Sequence, residues 1–463
     1  MTIGTLSQEV EDFWVKVSTE IKRMNMEPEK FNPTALENYY DEKSVWWKKD
    51  FINQLIDEAR RNKKTRNLCN FLLYEYVNLV LYDLDEYFIE EKQTFLRALT
   101  KGINQTSWSL RKQTVQELIS SHVSMSTHFE QYYKQRSKKL EEELGHSCLN
   151  KLYAEMNQAD IERYTNVCVN ILHLTKDLYW YLQKKTIKLE SHILEAEWQD
   201  LLFIQKNDPF HQCFKDINTK TIFTALGHLN YQNIFIHESN IVSRPNSLAI
   251  DLPNEIYIFI QKGRGSEYLQ SLLHEIGHGI YYSSLKKEYH IEQKQLGFRG
   301  ITEAFAYSTQ LLLLDKNFLA SLNVIEDKHI EALIDYYKWD FLRQLRLVCV
   351  QFLLAVKHME KNTYESLMNF TKKVIEETFF VHFPKELYWL YIGDLKTSLE
   401  YVAGWVWGIQ LRHYMKGCKL EQQKQELFTL RKDSDLPLVL NREEFNFLKN
   451  DAYQIGVREL FTY

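Results

Sequence analysis

Apolar positions recur every three to four residues through most of the first 205 positions. Phe71, Leu72, Tyr74, Val77, Leu81 and Leu84 are one such run. That period places apolar side chains on one face of a helix. The pattern predicts helices almost throughout this half, with one long polar helix over about 108–143 and another over about 160–205. Near Asp208-Pro209 the character changes. Between about 230 and 262 the residues become β-branched and alternate. Asn233-Ile-Phe-Ile-His237 and Glu255-Ile-Tyr-Ile-Phe-Ile260 read as strands, with turns at Ser243-Arg-Pro-Asn246 and Asp251-Leu-Pro253. Helical periodicity returns at about 265 and continues to the end. Two regions are expected: a helical one over 1–206 and a second over 207–463. The second would hold a small sheet (about 230–262), two central helices (about 265–315) and C-terminal helices.

Composition supports a mainly α chain. Only 15 glycines and 7 prolines occur in 463 residues, too few turn residues for many short strands. The net charge is −5 with both signs interspersed, which argues against nucleic acid as a partner. One basic run, Arg60 to Arg66, fits a solvated segment between helices. The six cysteines are scattered with no C-x-x-C spacing, as expected of reduced thiols in a cytoplasmic protein. Glu9, Glu11 and Asp12 interrupt any apolar leader, and no run of 18 apolar residues exists, so no membrane span is expected.

The chemistry concentrates at His274-Glu-Ile-Gly-His278. Two histidines four apart share one helix face and can reach one metal ion. Glu275 follows the first directly, where its carboxylate can serve as a general base. This is the zinc metallopeptidase arrangement. Gly277 and Gly279 inside an apolar helix cost about 1 kcal/mol each relative to alanine, so a close approach to the backbone is expected there. A catalytic zinc needs a third protein ligand. Glu303, in Arg299-Gly-Ile-Thr-Glu-Ala-Phe-Ala-Tyr307, opens the next predicted helix among apolar residues, with Thr302 as candidate N-cap. A carboxylate there is costly to bury without a partner such as a metal. Tyr307, four residues on, is a candidate to orient a ligand. The strand over Ile256–Ile260 precedes the zinc helix, and a free strand edge there would hold substrate main chain through Tyr257, Ile258 and Phe259. Arg244 and Arg299 flank the motifs and are candidates to bind a peptide carboxylate.

Three segments carry a family resemblance: Leu273-His-Glu-Ile-Gly-His-Gly279, Thr302-Glu-Ala-Phe-Ala306 and Tyr401-Val-Ala-Gly-Trp405. Over roughly 240–415 the chain resembles the M3 gluzincin metallopeptidases, the thimet oligopeptidase and oligoendopeptidase F group. More distantly it is similar to angiotensin-converting enzyme and the M32 carboxypeptidases. The resemblance implies a zincin-like helical ellipsoid with a deep central channel and a small sheet beside the His-Glu-x-x-His helix. It implies one Zn2+ on His274, His278 and Glu303, Glu275 as base, and Tyr401 as donor to the tetrahedral oxyanion. The implied substrates are short peptides. Departures from the family pattern surround Tyr401. Tyr391 stands ten residues before it, where a histidine is usual, and is a candidate substrate contact. Thr397 lies four before it, and Gly404 occupies a position where some members carry another tyrosine. Three alternatives stay open: an M32-like carboxypeptidase, a zinc-containing binding or regulatory protein without catalysis, and a helical scaffold with a fortuitous motif.

Overall fold

The computed structural model describes residues 3–462 except 63–64, 106, 122–123, 187–195, 207–209, 211–213, 215–216, 227–232, 241–244, 250–254, 264, 284, 286, 323–326, 361–362 and 416–451. The chain divides into two compact units. Unit 1 comprises 1–45, 208–338 and 400–463, and unit 2 comprises 46–207 and 339–399. The sequence boundary at 206/207 lies beside one of these crossings. The division is not linear, however. The first 45 residues belong with the motif segments, and 339–399 belong with the N-terminal helices. Helical periodicity reports which face of a helix is buried, not which distant segment buries it.

Unit 2 is built of helices. The expected helix over 108–143 is two helices, Trp108–Ser121 and Ser124–Leu144. The expected helix over 160–205 is also divided, into Ile161–Leu174, Lys176–Thr186 and Trp198–Lys206. Before the last of these, Ala196–Glu197 pairs parallel with Val381–His382. A tertiary contact marks the break at Thr175. Arg346 donates to Leu172 O (2.8 Å), Thr175 Oγ1 (2.6 Å) and Thr378 O, satisfying carbonyls that a helix end leaves free. The apolar spacing continues across Thr175, so periodicity alone does not reveal the break.

Unit 1 holds a three-stranded sheet and the motif helices. Helix α1 is Ile3–Met26. Strands β1 (Ile234–Ser239), β2 (Asn246–Ala249) and β3 (Ile256–Gln261) form a sheet of order β1-β3-β2. β1 runs parallel to β3, and β2 antiparallel to it. This corrects two expectations. Asn246 begins a strand rather than closing a turn. The Ile256–Ile260 strand is central, so its main chain is paired on both sides and offers no free edge to substrate.

Alternation gives the sheet two unlike faces. Tyr257 and Phe259 share one with Phe235, whose ring stacks 5.2 Å from Tyr257. That face meets α1, where Ile21 packs on it and Lys22 Nζ lies 4.1 Å from the Tyr257 ring centre. Ile234 and Ile258 share the other face, directed at helix α2 (Ser266–Ser283).

Two glycines of α2 allow close packing on opposite sides. A Cβ at Gly279 would meet Ile234 Cδ1 at 3.1 Å. One at Gly277 would stand 2.5 Å from Ala306 Cα, in helix α3 (Gly300–Gln310). Residues two apart on a helix are separated by about 200°, so one glycine serves the sheet and the other serves α3. Helix α4 (Leu395–Met415) crosses from unit 2 into unit 1 at 399/400 and brings Gly404 and Gly408 onto α3. No helix among the described residues is long and apolar enough to cross a membrane.

Candidate metal centre

Helix geometry presents His274 and His278 one turn apart on α2, and the Gly277 contact brings α3 close enough for Glu303 to face both. Glu303 Oε2 lies 3.5 Å from His274 Nε2 and 3.8 Å from His278 Nε2. The three ligand atoms lie within 4.8 Å of one another, and this is the metal-type cluster found among the described residues. Tetrahedral zinc ligands at about 2.0–2.1 Å from the ion stand about 3.3 Å apart, so the spacing fits a single ion. A second observation agrees. Glu303 Oε2 is buried and accepts no hydrogen bond, a costly state that a cation between it and the imidazoles relieves.

Both imidazoles are held from behind. His274 Nδ1 lies 3.0 Å from Gln310 Oε1. An amide oxygen only accepts, so Nδ1 carries the proton and Nε2 presents its lone pair to the cluster. His278 Nδ1 lies 2.8 Å from Thr302 Oγ1. Thr302 is therefore inside α3 and directed at His278. It is not the N-cap, a position held by Arg299 with no side-chain cap bond. Tyr307 orients His274 by packing, its ring 5.1 Å edge-on to the imidazole and stacked 4.1 Å from Trp405.

Burial disfavours charge on all three residues, and their mutual attraction decides where charge stays. Burial drives the His278 pKa down to about 3. On Glu303 burial is outweighed by His278 and His274, which bring the carboxyl down to about 2. On His274 burial is outweighed by Glu303 and Glu275, and its pKa is raised. The cluster thus holds an ionised carboxylate and demands nearby positive charge.

Glu275 is a second buried carboxylate beside the cluster, its pKa raised chiefly by burial. Ser247 Oγ, on β2, lies 2.7 Å from Glu275 Oε2. Tyr401 is half-buried on α4. Burial, and then the Glu303 charge, raise its pKa, so its hydroxyl stays protonated and able to donate. Arg299 is exposed at the start of α3, and its main-chain N–H donates to Glu400 Oε1 at 3.3 Å. Arg244 lies outside the described residues. Tyr391 belongs to unit 2, where its hydroxyl accepts from the Trp198 indole and its ring packs on Phe383.

Ser247, Gln310 and the His278-directed role of Thr302 were not apparent in the sequence. Gln310 does lie seven residues after Glu303, two helical turns along the same face. Ser247 left no comparable signal, because its placement depends on strand register.

No family model matches the sequence, and no curated protein matches it. Solved structures do. PZ peptidase A, determined with an inhibitor, superposes with TM-score 0.66 at 12% identity, over 98% of this chain and 90% of that one. An oligoendopeptidase F from Bacillus anthracis str. Ames gives 0.54 at 13%, over 98% and 85%. Metallocarboxypeptidase 1 of Trypanosoma cruzi gives 0.53 at 12%, over 99% and 96%. The chain has the fold of these helical peptidases. Near-complete coverage extends that likeness beyond residues 240–415 to the N-terminal helices. At such identities the likeness concerns the fold, and the chemistry rests on the residues themselves.

Proposed function

We propose that this chain is a zinc-dependent peptidase that hydrolyses bonds within short, unfolded peptides. The observation that carries this reading is the convergence of two imidazole Nε2 atoms on a buried, unpartnered oxygen of Glu303. His274, His278 and Glu303 would hold the ion. A structural zinc site closes with a fourth protein ligand, whereas a catalytic one leaves that position open; the described cluster has three. Bound zinc would supply Lewis acidity toward water and the scissile carbonyl.

The protein's own groups handle protons and orientation. Glu275 takes the proton of the attacking water and returns it to the leaving amine. Tyr401 donates to the developing oxyanion. Substrate main chain would pair with the outer edge of β2, next to Glu275, in place of the central strand. Arg299 is available for a substrate carboxylate.

Removal of single residues from a free C-terminus is the second reading. Exposed Arg299, a candidate to bind a free C-terminal carboxylate, favours it. Product analysis on end-blocked and free peptides separates the two. The primary test is metal content and cleavage of quenched peptides by the purified protein. Activity should be lost to a chelator and restored by zinc. Glu275→Gln should keep the metal and lower turnover by about 10²–10⁴. Unchanged turnover in that variant excludes the reading.

A further inference from the structure

We infer that Ser247 is a positioning residue that holds Glu275 in place by tethering one of its two carboxylate oxygens. The inference takes the role of Glu275 from the peptidase reading above and its placement from geometry alone.

Ser247 sits on β2 opposite Ile258 of β3, so it shares the sheet face that meets α2. From there Oγ lies 2.7 Å from Glu275 Oε2 and 3.1 Å from the main-chain oxygen of the same residue. Glu275 is only 6% exposed. A buried carboxylate oxygen needs a donor, and Ser247 supplies one to Oε2. The two oxygens are thereby made unequal: Oε2 is engaged, and Oε1 remains to receive a proton.

The test compares Ser247→Ala, Ser247→Thr and Ser247→Cys in the zinc-loaded full chain by metal content, crystal structure and peptide kinetics. All three should keep one metal per chain, because no ligand is changed. In crystals of Ser247→Ala the Glu275 carboxylate should turn from its wild-type position. Its kcat should fall by about tenfold or more with KM nearly unchanged, the loss expected for one hydrogen bond to a charged group. Ser247→Thr, which keeps the hydroxyl, should restore most of the rate. Ser247→Cys, with a weaker donor of similar size, should be intermediate, and it replaces the alanine variant if that one does not fold. A mere tie between strand and helix would lower the melting temperature and leave the kcat of folded, metal-loaded enzyme unchanged. That result, or an unmoved carboxylate, overturns the inference. If the wild type cleaves no peptide while the carboxylate still turns in Ser247→Ala, the tether stands and the peptidase reading fails.

Discussion

Gly404 faces Glu303 so closely that a β-carbon at 404 would stand 2.4 Å from the Glu303 β-carbon. Real side chains do not approach that closely, so α4 and the metal-facing carboxylate share space that only glycine leaves open. A tyrosine at 404 has no room without a shift of α4. Gly404→Ala should therefore displace Glu303, lower zinc content and cost about 1–3 kcal/mol from overpacking. Metal analysis and thermal melts of the variant check both effects. A variant with full metal and unchanged melting would mean that α4 yields freely.

Thr302 and Gln310 should act on metal affinity more than on fold. Thr302→Val keeps shape and removes the partner of His278 Nδ1. Loss of such a partner weakens metal binding by about 10- to 100-fold. Gln310→Leu should act similarly through His274. Competition with a chromogenic chelator measures both. Affinities equal to wild type would show that packing alone, including the Tyr307 ring, orients the imidazoles.

Tyr401→Phe should leave zinc content intact and reduce kcat by about 10²–10³, the usual effect of removing one oxyanion donor. Tyr307→Phe keeps the ring that stacks on Trp405 and should retain far more activity. If Tyr401→Phe stays within about threefold of wild type, another group donates to the oxyanion.

Unit 2 contains a histidine whose titration should make stability depend on pH. His358 packs edge-on to Tyr133 at 4.7 Å. Burial, aided by the Arg136 charge, lowers its pKa to about 4. In the unfolded chain it titrates near 6.5. Between those values the unfolded state binds the extra proton, so stability falls as pH drops through 6.5 towards 4. From pH 7.5 to pH 5 the contribution is about 2 kcal/mol. His358→Phe should melt with a shallower pH dependence over that range. Protonation of the metal ligands occurs in both proteins and cancels in the comparison. Equal slopes would exclude the effect.

The sequence by itself determined the local chemistry. Two histidines four apart on a helix must share a face, and helical rise and twist guarantee it without reference to the rest of the chain. The same regularity made the helical class legible, while Glu303 was read from the need of a zinc site for a third ligand and the close approach at Gly277 from the cost of glycine inside a helix. Tertiary structure decided what lies between elements. β3 is central rather than an edge because the short strand β2 pairs with its other side, and β2 is too short and too polar at Asn246-Ser247 to announce itself. Thr302 turned out to orient His278 rather than cap α3, because its partner is 24 residues away on another helix. The first 45 residues group with the unit that carries the His-His-Glu cluster for the same reason. Periodicity fixes which side of each element is apolar, but the partner of that side is chosen by packing among segments distant in sequence.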